Sequence, residues 1–82
     1  MTDAVRTNLT TIAAPYGREI RLEDVAYESG MRLLRTTIRE GRRFTILEID
    51  TRSARAWGEA MIRWAEDAGD AGQPDGPDRP PI

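Results

Sequence analysis

The sequence predicts an α+β fold: a four-stranded antiparallel β-meander followed by one C-terminal amphipathic helix. Three glycine-ended tripeptides, Pro15-Tyr16-Gly17, Glu28-Ser29-Gly30 and Arg39-Glu40-Gly41, separate four stretches rich in apolar and β-branched residues. The last stretch gives way at Asp50-Thr51-Arg52-Ser53 to an alanine-rich segment with helical spacing. After Asp67 the chain turns to Gly, Pro and Asp, with no large apolar residue until Ile82. Such a composition buries too little surface to offset the entropy of ordering it. One domain over 1–67 and a disordered acidic tail over 68–82 are therefore expected.

Taken in order, residues 1–7 are expected to fray, and strands are expected over 8–14, 18–27, 31–38 and 42–49. Each glycine tripeptide suits a three-residue hairpin loop, a type I turn closed by glycine in the left-handed region. Pro15 brings the φ that the first turn position needs. These loops set the register. Ile12 is expected opposite Ile20 and Val25 opposite Leu33. Across the third loop, Ile38 is expected opposite Arg42, Thr36 opposite Phe44, Leu34 opposite Ile46 and Arg32 opposite Glu48. A two-residue loop on Glu40-Gly41 would instead oppose Arg39 to Arg42, and facing like charges are unfavourable.

Side chains alternate across a strand, so this register defines two faces. One collects Thr10, Ile12, Ile20, Leu22, Leu34, Thr36, Ile38, Phe44 and Ile46 and has to be covered. The other is charged near the third loop, with Glu19, Arg21, Glu23, Arg35 and Arg43. Toward its far end it becomes apolar, with Val25, Tyr27, Met31, Leu33, Leu47 and Ile49.

The helix is expected from an N-cap at Asp50 or Thr51 to about Asp67. Ala54, Trp57, Ala60, Met61, Trp64 and Ala65 form its apolar stripe; Arg52, Arg55, Glu59, Arg63 and Glu66 take the other side. The two tryptophans are read as the core-facing part of that stripe, laid most naturally on the fully apolar sheet face. In the reverse arrangement they lie on the apolar end of the other face, with the fully apolar face then shared with a second chain. One helix cannot cover both faces. Val25, Tyr27, Met31, Leu33, Leu47 and Ile49 are thus expected to form a protein interface, with a homodimer or a larger protein partner on it.

Composition excludes much chemistry. The 82 residues include no cysteine and no histidine, and all 12 basic residues are arginine. Disulfides, thiolate metal sites, imidazole bases and lysine nucleophiles are ruled out. Glu23 and Asp24 point to opposite faces and do not share an ion, and no phosphate-binding glycine loop is present. No enzyme, no cofactor and no metal is expected. No run nears the roughly 18 apolar residues of a membrane span, and no signal-peptide pattern opens the chain; a cytoplasmic protein without a membrane partner is expected.

Arg21, Arg35, Arg39, Arg42 and Arg43 gather near one sheet end as candidate contacts for nucleic acid or another anion. The run Gly41-Arg42-Arg43-Phe44-Thr45-Ile46-Leu47-Glu48-Ile49-Asp50, followed by Trp57, resembles the end of the positive-cofactor-four family over residues 31–65. The resemblance implies four antiparallel strands then a helix, a dimer, and binding of single-stranded DNA. In it, Arg35, Arg42 and Arg43 match basic strand and turn positions. A single-stranded nucleic-acid regulator is the alternative to an accessory protein that binds a partner through its sheet.

Overall fold

A computed structural model describes residues 4–72. It contains β1 (Val5–Ala14), β2 (Arg18–Ala26), β3 (Arg32–Glu40), β4 (Arg43–Ile49) and α1 (Thr51–Ala68). The strands form one antiparallel sheet in the order β1-β2-β3-β4, the expected meander. The first strand is longer than expected, since residues from Val5 onward pair with β2 rather than fray. Most of the predicted tail lies outside the described residues; of its described part, Ala68 ends α1 and Gly69–Gly72 is a short 3-10 turn.

The first two loops have the expected length. Ala14 faces Arg18 across Pro15–Gly17, with Ile12 opposite Ile20. Tyr16 itself is left-handed there (φ 65°, ψ 34°), a conformation L-residues avoid, and Gly17 follows at φ 74°. The Arg18 guanidinium lies 5.4 Å from the Tyr16 ring centroid, a cation–π contact that helps to hold the turn. In the second loop the Gly30 N–H donates to the Tyr27 carbonyl, and the Tyr27 N–H to that of Met31, both at 2.9 Å. Val25 faces Leu33 as predicted.

The third loop differs. β3 runs on through Glu40, and only Gly41 and Arg42 make the turn. Gly41 has φ 62° whereas Arg42 does not have positive φ. That is the pattern of a type II′ turn, with glycine in its first central position and a twist matching the strands. Glu40 thereby meets Arg43, Arg35 meets Glu48, Thr36 meets Leu47 and Leu34 meets Ile49. The expected pairs Ile38–Arg42, Thr36–Phe44, Leu34–Ile46 and Arg32–Glu48 do not form. The observed register is three residues away, an odd shift, so all of β4 changes face.

One face therefore carries Ile12, Ile20, Leu22, Leu34, Ile38, Leu47 and Ile49 around Thr36. The other carries Val25 and Leu33 together with Phe44, Ile46 and a charge ladder. A bulge at Leu9, between Asn8 and Thr10, shifts the start of β1 by one residue.

The helix is N-capped by Asp50, whose Oδ1 accepts the Ser53 N–H at 2.8 Å. It does not lie over the sheet as expected. Among the described residues only Val25 (2% exposed) and Thr36 (1%) are fully buried, Val25 near the end of β2 and Thr36 in the middle of β3. The longest extent is 50 Å and the Cα radius of gyration 15.3 Å, against about 12 Å for a compact domain of this length. The cause is the connector. Asp50 alone separates β4 from α1, which leaves no chain to reverse direction, so the helix carries on past the end of the sheet.

Candidate interaction surfaces

The sheet holds its charges in cross-strand pairs. Arg35 faces Glu23 on one side and Glu48 on the other, and its guanidinium lies 2.7 Å from Glu48 Oε2. Arg39 lies 3.6 Å from Glu19, Arg18 2.7 Å from Glu40, and Arg32 3.0 Å from Asp24. These pairs are partly exposed, and each adds no more than about 1 kcal/mol. They also favour the register, because only this alignment sets both Glu40 against Arg43 and Arg35 against Glu48.

The five candidate arginines do not form one patch. Arg21, Arg35 and Arg39 share the charged face, Arg43 lies on the apolar face opposite Glu40, and Arg42 sits in the turn. Arg35 and Arg39 are held in ion pairs. Arg42 and Arg43 line an open hollow at the hairpin tip together with Glu40.

The six predicted interface residues are also divided. Val25 and Leu33 lie on the charged face, where Val25 is buried, while Leu47 and Ile49 lie on the apolar face. Tyr27 and Met31 pair at the second hairpin loop and continue the alternation of Val25 and Leu33. The more apolar face has gained Leu47 and Ile49 in place of Phe44 and Ile46, which are now exposed on the other side. Sequence reasoning missed this exchange, and the signal for it was the Gly-Arg pair that fits a type II′ turn.

On the apolar face, the buried Thr36 Oγ1 has no hydrogen-bond partner among the described residues. An unmade bond of this kind costs about 1–3 kcal/mol. At the end of the sheet, a crevice of about 260 Å³ opens where the helix begins, with Leu9, Leu33, Leu34 and Ala54 in its wall and Asp24 and Arg32 beside them.

Beyond that crevice the helix stripe is progressively uncovered: Trp57 is 38% exposed, Met61 49% and Trp64 63%. The two tryptophans are correctly placed on the apolar side of α1, but the expected sheet is not beneath them. Hydrogen bonding from the Ser53 side chain first, and from its backbone second, holds the Asp50 carboxyl below the ordinary aspartate value. That shift belongs to a helix cap and marks no reactive group. No cluster of three or more metal-ligating side chains occurs among the described residues, and no described helix is long and apolar enough to cross a membrane.

No curated protein and no solved structure matches the chain. A family model does match, over residues 3–67, which takes in the whole sheet and nearly all of the helix. The chain belongs to DUF6967, a family of unknown function.

Proposed function

We propose that this is a small non-catalytic accessory protein that binds a protein partner, or a second copy of itself, through the apolar face of its sheet. The observation that carries this reading is the bareness of the fold: Val25 and Thr36 are its only fully buried described residues. A face built from Ile12, Ile20, Leu22, Leu34, Ile38, Leu47 and Ile49, of which Leu34 borders the start of the helix, is the kind of contiguous apolar surface that marks an interaction site. The lack of histidine, cysteine and lysine supports the non-catalytic part.

The test is capture of partners by the full chain from its native cells, alongside two variants on opposite faces. Leu47→Glu puts a charge in the apolar face, and Ile46→Glu puts the same charge on the other. Loss of the captured protein, or of self-association, with Leu47→Glu but not with Ile46→Glu is expected. Equal behaviour of the two variants would sink the proposal.

A second reading, single-stranded nucleic-acid binding, draws on the family resemblance and on Arg42 and Arg43 at the open hairpin tip. It predicts oligonucleotide affinity that falls steeply as salt rises. Absence of binding at low salt removes it.

A further inference from the structure

The open stripe of α1 and the sequence beyond Gly72 repeat at matching intervals. Trp57 and Trp64 stand on one line of the helix, about 10.5 Å apart at 1.5 Å per residue. Both rings are open, Trp64 more than half so. Past the described residues the sequence reads Gln-Pro-Asp-Gly-Pro-Asp-Arg-Pro-Pro-Ile, which puts Pro74, Pro77 and Pro80 at every third position. In a polyproline II helix, with three residues per turn, that spacing makes one ridge of prolines about 9.3 Å apart. Aromatic-lined surfaces take proline-rich segments in that form, because the segment has little entropy left to lose.

Length supplies an independent observation. The helix stops at Gly69, whose φ of 53° turns the chain aside. From Gly72 back to Trp64 is at most about 14 Å along the axis, from four residues of α-helix and four of 3-10 turn. Pro77, about 15 Å beyond Gly72 in extended form, is the first ridge proline that reaches this far. Pro80 then falls level with Trp57. Ile82, the one large apolar side chain of the sequence after Ala68, lies about 6 Å further on. Ala54 is about 4.5 Å beyond Trp57 in the same direction, and it borders the crevice walled by Leu9, Leu33 and Leu34.

We propose that segment 77–82 of this chain docks antiparallel along its own α1, with Pro77 over Trp64, Pro80 over Trp57 and Ile82 at the crevice beside Ala54. The occupant is fixed by three intervals that fit together: proline to proline, Gly72 to the first ring, and last ring to crevice. A stripe of two rings is too small for a stable interface between separate proteins. A segment tethered a few residues away needs far less, because a short linker holds it at an effective concentration in the millimolar range. Leu47 does not line the crevice, so Leu47→Glu leaves this contact in place and either proposal can fail alone.

Trp57 and Trp64 are the only tryptophans in the chain, so their fluorescence reads the site directly. In the full chain, Pro77→Ala combined with Pro80→Ala removes both docked prolines and alters no residue of the sheet or helix. Pro81→Ala, which lies off the ridge, is the control. The double variant is expected to emit at longer wavelength and to be quenched by acrylamide roughly twofold more strongly than the native chain. Pro81→Ala is expected to match the native chain, and a hundredfold dilution is expected to leave native quenching unchanged, as a contact within one chain requires. The proposal is overturned if the double variant is quenched like the native chain or if Pro81→Ala exposes the rings as much. It is overturned too if dilution exposes them, which would assign the cover to a second copy.

Discussion

The sheet and the helix of this protein deal with their apolar residues in opposite ways. In the sheet, lateral pairing does much of the covering: Val25 and Thr36 sit in central strands and are sealed by neighbours on either side. In the helix no lateral neighbour exists, and the stripe from Trp57 to Trp64 emerges into the open as the chain leaves the sheet. The sheet is therefore the part that holds itself together. The helix has correct local chemistry and no tertiary surface of its own, although most helical stability in proteins comes from such packing.

The largest effect should come from breaking the sheet at its one buried apolar side chain. Val25→Lys places a charge with no acidic cross-strand partner, since Arg6 and Leu33 face it, at a site 2% exposed; leaving a buried charge uncompensated costs on the order of 3–5 kcal/mol. In a 69-residue folded region with so small a core, that should unfold the sheet in urea titrations followed by far-ultraviolet circular dichroism. The same substitution at Ile62, 60% exposed on the helix, should change monomer stability by less than about 1 kcal/mol. Comparable losses at the two sites would show that the contrast between sheet and helix is false.

A smaller loss tests the turn on which both faces depend. Gly41 has φ 62°, and a Cβ there would touch nothing within 4 Å. The cost of Gly41→Ala is thus backbone strain alone, about 1–2 kcal/mol for an L-residue held in the left-handed region. Gly41→Asn should lose a similar amount, because asparagine tolerates the left-handed helical well and not the first position of a type II′ turn, which glycine takes. Equal stability of all three proteins in thermal melts would mean that the loop can take another form, and the assignment of β4 to its faces would fall with it.

This turn also separates what could be read from the sequence from what could not. In Pro15-Tyr16-Gly17 and Glu28-Ser29-Gly30 the glycine ends a three-residue loop, and the register that follows is the observed one. At Gly41 the same need for positive φ is met in the first position of a two-residue loop, and nothing local to glycine distinguishes those roles. The charges do: only the Gly41-Arg42 turn sets Glu40 against Arg43 and Arg35 against Glu48. For the helix, periodicity identified the stripe and Asp50 its cap, but periodicity names an apolar side without saying what it rests on. That depends on the single connecting residue between Ile49 and Thr51, a matter of chain geometry rather than hydrophobic pattern.

The smallest expected effect is a pH dependence confined to the start of the helix. Asp50 accepts the Ser53 N–H at 2.8 Å and its pKa is lowered, first by hydrogen bonding to the Ser53 side chain. A carboxyl whose folded-state pKa is lowered stabilises the fold above its unfolded value. That contribution is lost as the pH falls through the lower, folded-state value. For Asp50 it should be complete above the ordinary value of 3.8 and fade below it. Asparagine also caps helices but does not titrate, so Asp50→Asn should keep the helix and remove this part of its acid sensitivity. The readout is the difference between the two proteins in helix content by circular dichroism, in which the sheet common to both cancels. An Asp50→Asn chain that loses helix content with falling pH just as the native chain does would mean that the cap's charge adds nothing to its hydrogen bond. The capping hydrogen bond alone, made equally by asparagine, would then account for the start of the helix.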